Sequence, residues 1–162
     1  MRMEVVLAAA VAVVGTLMGS VITYLLQVRT AEHGERNRNT EQLRQERLTA
    51  FCAVADALHS VRRAEHDRWR HEQESPGGAE AIEARERSIQ LRPAAWSALT
   101  RLQLLVEEPE LVRSAQHAYQ TVRAIHWAQD EGDLYDKDRA SRAALDAFLS
   151  AAAAYMHEAT AG

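Results

Sequence analysis

Hydrophobic positions in this chain follow two patterns that meet near residue 28. From Val5 to Leu26 the sequence VVLAAAVAVVGTLMGSVITYLL carries no charge. A helix rises about 1.5 Å per residue, so such a run covers roughly the 30 Å hydrocarbon core of a bilayer. A core helix of a soluble domain rarely keeps polar residues off its surface for that length. A cleaved secretory signal has a shorter apolar stretch, about 7–15 residues, and a small-x-small site. This run ends instead in Tyr24, Leu25, Leu26 and Gln27, and the segment before it, MRME, is barely basic. The pattern predicts an uncleaved transmembrane anchor within residues 1–28. Arg2 precedes the run, whereas Arg29, Arg36, Arg38, Arg44 and Arg47 follow it. That asymmetry orients the C-terminal part toward the cytoplasm at a plasma membrane.

Beyond the run lies a polar joint, residues 29–40, containing Gly34, Asn37 and Asn39. The second pattern then begins and continues through residues 41–162. Leu43, Leu48, Phe51, Val54, Ala55, Leu58 and Val61 recur at steps of three and four, the signature of one apolar stripe on a helix. SPGG at 75–78 stops that helix. A second is predicted from Ala79 to Glu107, with Ile82, Ile89, Trp96, Leu99, Leu102 and Val106 inward. Pro93 lacks an N–H, so a kink or break is expected after Leu91. Pro109 suits the first turn of a third helix, which Gly132 is expected to end. Leu111, Val112, Ala115, Tyr119, Val122 and Ile125 form its inner face. A fourth follows an acidic turn DLYDKD and turns Leu145, Phe148, Leu149, Ala152, Tyr155 and Met156 inward. No segment alternates with period two between turns, so no strand is predicted. The expected fold is all-α: an N-terminal transmembrane helix followed by an antiparallel four-helix bundle.

Composition narrows the possible functions. The formal charge of −4 argues against a nucleic-acid binder, which needs concentrated positive surface. A single cysteine, Cys52, excludes an internal disulfide and fits a reducing compartment. No GxxxxGK[ST] loop, GxSxG elbow or CxxC pair is present. Bundles hold metal pairs through Glu-x-x-His motifs, but none of the seven histidines has Glu three residues before it. Asp56 and His59 approach that spacing without a second copy, and His66 and His71, five apart, do not share a face. The expectation is a non-enzymatic protein without catalytic residues, cofactor, metal or small-molecule substrate.

Two features remain as candidate interaction sites. Gly15 and Gly19 lie one turn apart with Thr23 extending the line. In lipid, such small residues let helix backbones approach and associate, which predicts a homo-oligomer. RRAEHDRWR is the densest basic stretch, and Arg62, Arg63, Arg68, Trp69 and Arg70 are a candidate surface for a protein partner or lipid. Glu65 and Asp67 within it suggest an exposed helix face laced with i,i+4 pairs.

The segments VVGTLMGSVITYLLQ, LRQERLTAF, RRAEHDRW, VEEPELVRSA and LDAFLSAAA follow in that order along most of the chain's length. In them the sequence resembles the KilB-like membrane proteins of streptomycetes and related actinobacteria. The resemblance implies a role in plasmid spread through the recipient mycelium, lethality when expression is not repressed, and no catalytic residues. The competing expectation is a membrane-anchored helical-bundle adaptor that binds a cytoplasmic protein and has no link to plasmids.

Overall fold

A computed structural model of the protein describes residues 40–161. The predicted anchor, almost all of the polar joint, and Gly15, Gly19 and Thr23 lie outside the described residues. Helix α1 covers residues 40–74. Helix α2 is Ala79–Leu105, α3 is Pro109–Ala124, and a short 3-10 turn, Ile125–Trp127, leads toward α4, Glu131–Ala161. Among the described residues there is no strand, and no helix is long and apolar enough to cross a membrane.

Local chemistry explains the boundaries. After α1, the amide of Ser75 donates to the His71 carbonyl at 3.0 Å, and Gly78 N–H donates to the Ser75 carbonyl at 2.9 Å. Gly77 takes φ +69°, a left-handed conformation that glycine adopts without a Cβ clash. A Cβ on Gly78 would lie 2.5 Å from Ser75 Oγ and 3.1 Å from its carbonyl oxygen, so a side chain there would force Ser75 to shift. Pro109 begins α3, and the carboxylate of Glu108 before it accepts from Glu110 N–H.

Three expectations are corrected. Helix α2 runs unbroken through Pro93. Pro93 is exposed, so the carbonyl that loses its amide partner faces solvent, while Ala95, Leu99 and Leu102 beyond it hold the helix to the core. Gly132 does not end α3, which gives way after Ala124, but sits in the first turn of α4. The segment DLYDKD is therefore helical rather than a turn. Asp130 Oδ1 accepts from Asp133 N–H at 2.8 Å, and Asp133 Oδ2 accepts from Gln129 N–H at 2.9 Å. This reciprocal arrangement satisfies orphan amides at the start of α4, where a glycine is tolerated.

The helices pack antiparallel in sequence order. Along α1 and α4, Phe51 meets Phe148 and Tyr155 edge-on with centroids 6.2 Å apart in both pairs. Further along, Arg62 reaches Asp138, so the two chain directions oppose. Between α1 and α2, Arg47 Nε donates to the Leu105 carbonyl at 2.9 Å while Glu65 meets Arg92. One core collects Phe51, Val54, Leu58 and Val61 of α1 with Leu99 and Leu102 of α2, Leu111, Tyr119 and Val122 of α3, and Leu145 and Phe148 of α4. A second, smaller cluster of Trp69, Ile125, Ala128 and Leu134 closes the corner between α3 and α4.

The inner face of α2 differs from expectation. Its buried residues are Ala81, Ala84, Ser88, Ala95, Leu99 and Leu102, while Ile82, Ile89 and Trp96 are exposed. Small residues bring this half of α2 close to its neighbours and leave the large side chains outside. On α1, Leu43 and Leu48 are likewise exposed, although Phe51 through Val61 match the predicted stripe.

Candidate functional site

The α1 stripe of Phe51, Val54, Leu58 and Val61 continues at the same spacing to Glu65 and then Trp69. A helix that buries the first four must therefore turn the next two inward as well. Glu65 is fully buried and Trp69 is 8% exposed.

A buried carboxylate is costly unless it is paired and hydrogen-bonded. Three elements supply partners for Glu65. Arg92 of α2 donates through Nη2 to Oε1 at 3.0 Å. His126, in the 3-10 turn, places Nδ1 3.1 Å from Oε2, an ion pair when the imidazole is protonated. Arg68, one turn along α1, places Nη1 3.6 Å from Oε2. Ser88, also fully buried, lies beside this group, its Oγ 3.5 Å from Arg92 Nη2. Burial alone would raise the Glu65 carboxyl, but the polar and charged neighbours His126, Ser88 and Arg92 outweigh it. The net direction is below the ordinary carboxylate value. Burial also pulls the Arg68 guanidinium below its ordinary value; Glu65 opposes this, and the Arg92 and Arg85 charges add to it.

A second charged group links α1 to α4. Arg62 Nη1 donates to Asp138 Oδ1 at 2.6 Å, and Arg142 Nε donates to Asp138 Oδ2 at 3.0 Å. Trp69 donates through Nε1 to the Ala128 carbonyl at 2.7 Å, satisfying its one polar atom inside the small core cluster.

These positions divide the basic stretch that the sequence offered as one surface. Trp69 is inside the protein. Arg62 is half-buried against Asp138, and Arg68 is half-buried beside Glu65. Only Arg63 and Arg70 are exposed, and Arg70 pairs with Asp67 at 3.3 Å. The reading of this stretch as an exposed face with i,i+4 pairs is thus corrected. Arg62 pairs across helices, whereas the pairs within α1 are i,i+3. The stripe spacing could have placed Glu65, but nothing in the sequence assigns it Arg92, Ser88 and His126 as partners, because their proximity arises from helix packing.

Clefts surround this region. One of about 450 Å³ lies between α1 and α4 over Trp69, Leu134 and Tyr135. A second, about 290 Å³, is bordered by Arg68, Arg85, His126 and Trp127. A third of about 210 Å³ lies beside His71, whose Nδ1 is 3.6 Å from Glu80 and 3.7 Å from Glu74. Among the described residues, no group of three or more His, Cys, Asp or Glu side chains is placed to hold a metal ion. The arrangement does not offer Glu65 to a substrate, since its carboxylate is sealed from solvent.

In comparison with known proteins, residues 48–156 match the family described as KilB plasmid transfer protein. No curated protein and no solved structure matches the chain.

Proposed function

Because the chain belongs to the KilB plasmid transfer protein family, we propose that it acts in plasmid transfer as a non-enzymatic, single-pass membrane protein promoting plasmid spread through the mycelium. The single observation behind this reading is the family match over residues 48–156, which coincides with the helical bundle from α1 to α4. In this reading the uncharged run Val5–Leu26 anchors the chain at the plasma membrane with the bundle in the cytoplasm. Gly15, Gly19 and Thr23 provide a face for self-association, and the bundle recruits a cytoplasmic protein.

Complementation tests it. A transfer-competent plasmid lacking its own spread gene would carry this one, and the diameter of the recipient inhibition zones would be scored. Restored zones support the proposal. Zones that stay small while the protein is present in membranes reject it and leave the anchored adaptor. Replacing Gly15 and Gly19 with leucine should preserve membrane insertion and abolish cross-linked oligomers; unchanged oligomers would defeat the self-association claim.

A further inference from the structure

The cleft of about 290 Å³ between α1, α2 and the 3-10 turn has an unusual charge balance. Glu65, buried behind the lining residues Arg68 and His126, is already held by Arg92 and His126. Arg68 reaches that carboxylate only at 3.6 Å, and Arg85 makes no ion pair among the described residues. One carboxylate, Glu72, shares the lining with these two guanidiniums, so the mouth keeps an excess of positive charge. His126 lines the same cleft with its side chain only 8% exposed.

The rim is apolar. Trp127 stands 61% exposed against His126, with ring centroids 4.7 Å apart. Outside the cleft, on the exposed face of α2, Ile82 and Ile89 lie one turn to either side of Arg85 along the helix, and Trp96 continues their line. Isolated exposed apolar residues are ordinary. An exposed indole sharing a cleft with two incompletely paired arginines, beside a helix face that exposes two isoleucines, has the composition of a membrane-interface contact, in which the ring enters the headgroup layer and the guanidiniums meet phosphate. Charge sets a limit, because Glu86 lies on the far side of the isoleucine line from Arg85. The phosphate contact must therefore be on the Arg68 and Arg85 side.

We propose that this cleft binds the phosphate of an anionic glycerophospholipid, with Arg68 and Arg85 as its ligands and Trp127 seated against the lipid, while the adjoining isoleucine face of α2 meets the membrane surface. The site differs from the basic stretch singled out in the sequence, sharing Arg68 and Trp69 with it but not Arg62, Arg63 or Arg70. It is independent of the role in plasmid transfer, so failed complementation does not bear on it.

The test uses the full chain in a neutral detergent. Phosphatidylglycerol and phosphatidylcholine with eight-carbon chains are titrated calorimetrically, and inorganic phosphate is titrated alone. Phosphatidylglycerol should bind at least about tenfold more tightly than phosphatidylcholine or phosphate, and R68Q/R85Q should lose about tenfold. R101Q, which removes an exposed charge elsewhere on α2, should stay within about twofold. Equal binding of the two lipids, an unaffected double variant, or an equal loss in R101Q would overturn the proposal. Phosphate binding as tight as phosphatidylglycerol would also overturn it, assigning the cleft to a free oxyanion. Should the double variant fail to fold, R85Q alone decides: a loss of about threefold or more supports the site, and parental affinity rejects it.

Discussion

Arg92 of α2 holds Glu65 of α1 through a 3.0 Å hydrogen bond inside the bundle, where the carboxylate has no contact with water. This pair joins two helices at the half of α2 whose inner face is otherwise alanine and serine. Its energetics differ from those of the surface pairs, such as Arg87 with Glu83, because neither solvent nor salt can replace the missing partner.

Removing one member should therefore cost much more than removing both. Glu65→Ala leaves Arg92 and His126 without their anion and is expected to destabilise the protein by about 3–5 kcal/mol. Glu65→Leu combined with Arg92→Met should lose clearly less than the sum of the two single changes. Urea midpoints of the full chain and the three variants give the comparison. Additive losses would mean that the two side chains do not act as a pair.

Acid should weaken the same joint. The Glu65 carboxyl is held below its ordinary value of 4.5, so its ionised form binds the folded state preferentially. That contribution is complete above pH 4.5 and is lost as pH falls through the lower folded value. Urea midpoints from pH 6 to pH 3 should fall more steeply for the parent chain than for Glu65→Gln. Parallel profiles would place the acid sensitivity elsewhere.

Trp69 should behave as core. Trp69→Phe leaves the Ala128 carbonyl without its 2.7 Å donor and should cost about 1–3 kcal/mol. Trp69→Ala, which also empties the corner among Ile125, Ala128 and Leu134, should cost about 3–5 kcal/mol. Thermal melts would reveal both losses. An unchanged melting temperature would return Trp69 to the surface role suggested by the sequence.

At the other end of the bundle, Phe148 is fully buried and edge-on to Phe51, whereas Leu104 is 82% exposed. Phe148→Ala should lose about 3–5 kcal/mol, and Leu104→Ala should stay within about 0.5 kcal/mol. Chemical denaturation of the two variants makes the contrast, and a comparable loss in Leu104→Ala would show that this leucine has a covered environment.

How far each element could be read in advance follows from where its information resides. Helix α1 was legible because its three-and-four spacing is carried by large residues such as Phe51, Leu58 and Val61. The SPGG stop and the Pro109 start were legible because glycine and proline act through their own backbone. Helix α2 misled because hydrophobicity and burial part company there. Ala81, Ala84 and Ser88 face inward while Ile82 and Ile89 face out, and close packing favours size over hydrophobicity. The start of α4 was missed because Gly132 resembles a helix stop, while the capping aspartates on either side act through side-chain geometry. The Glu65 cluster was the least legible, since its members come from three elements and only the tertiary fold brings Ser88, Arg92 and His126 to one carboxylate.

The buried carboxylate also bears on how the helices are threaded against one another. The first half of α2's inner face is alanine and serine, so by itself it resists a slide of one turn along α1, about 5.4 Å, less than Leu99 and Leu102 do. Such a slide would carry Arg92 and Ser88 past Glu65 and strand a charge in the interior, at a cost of several kcal/mol. Glu65 thereby works as a notch in the smoother half of the track. It adds a charge-based preference for one register to the one that Leu99 and Leu102 set by shape.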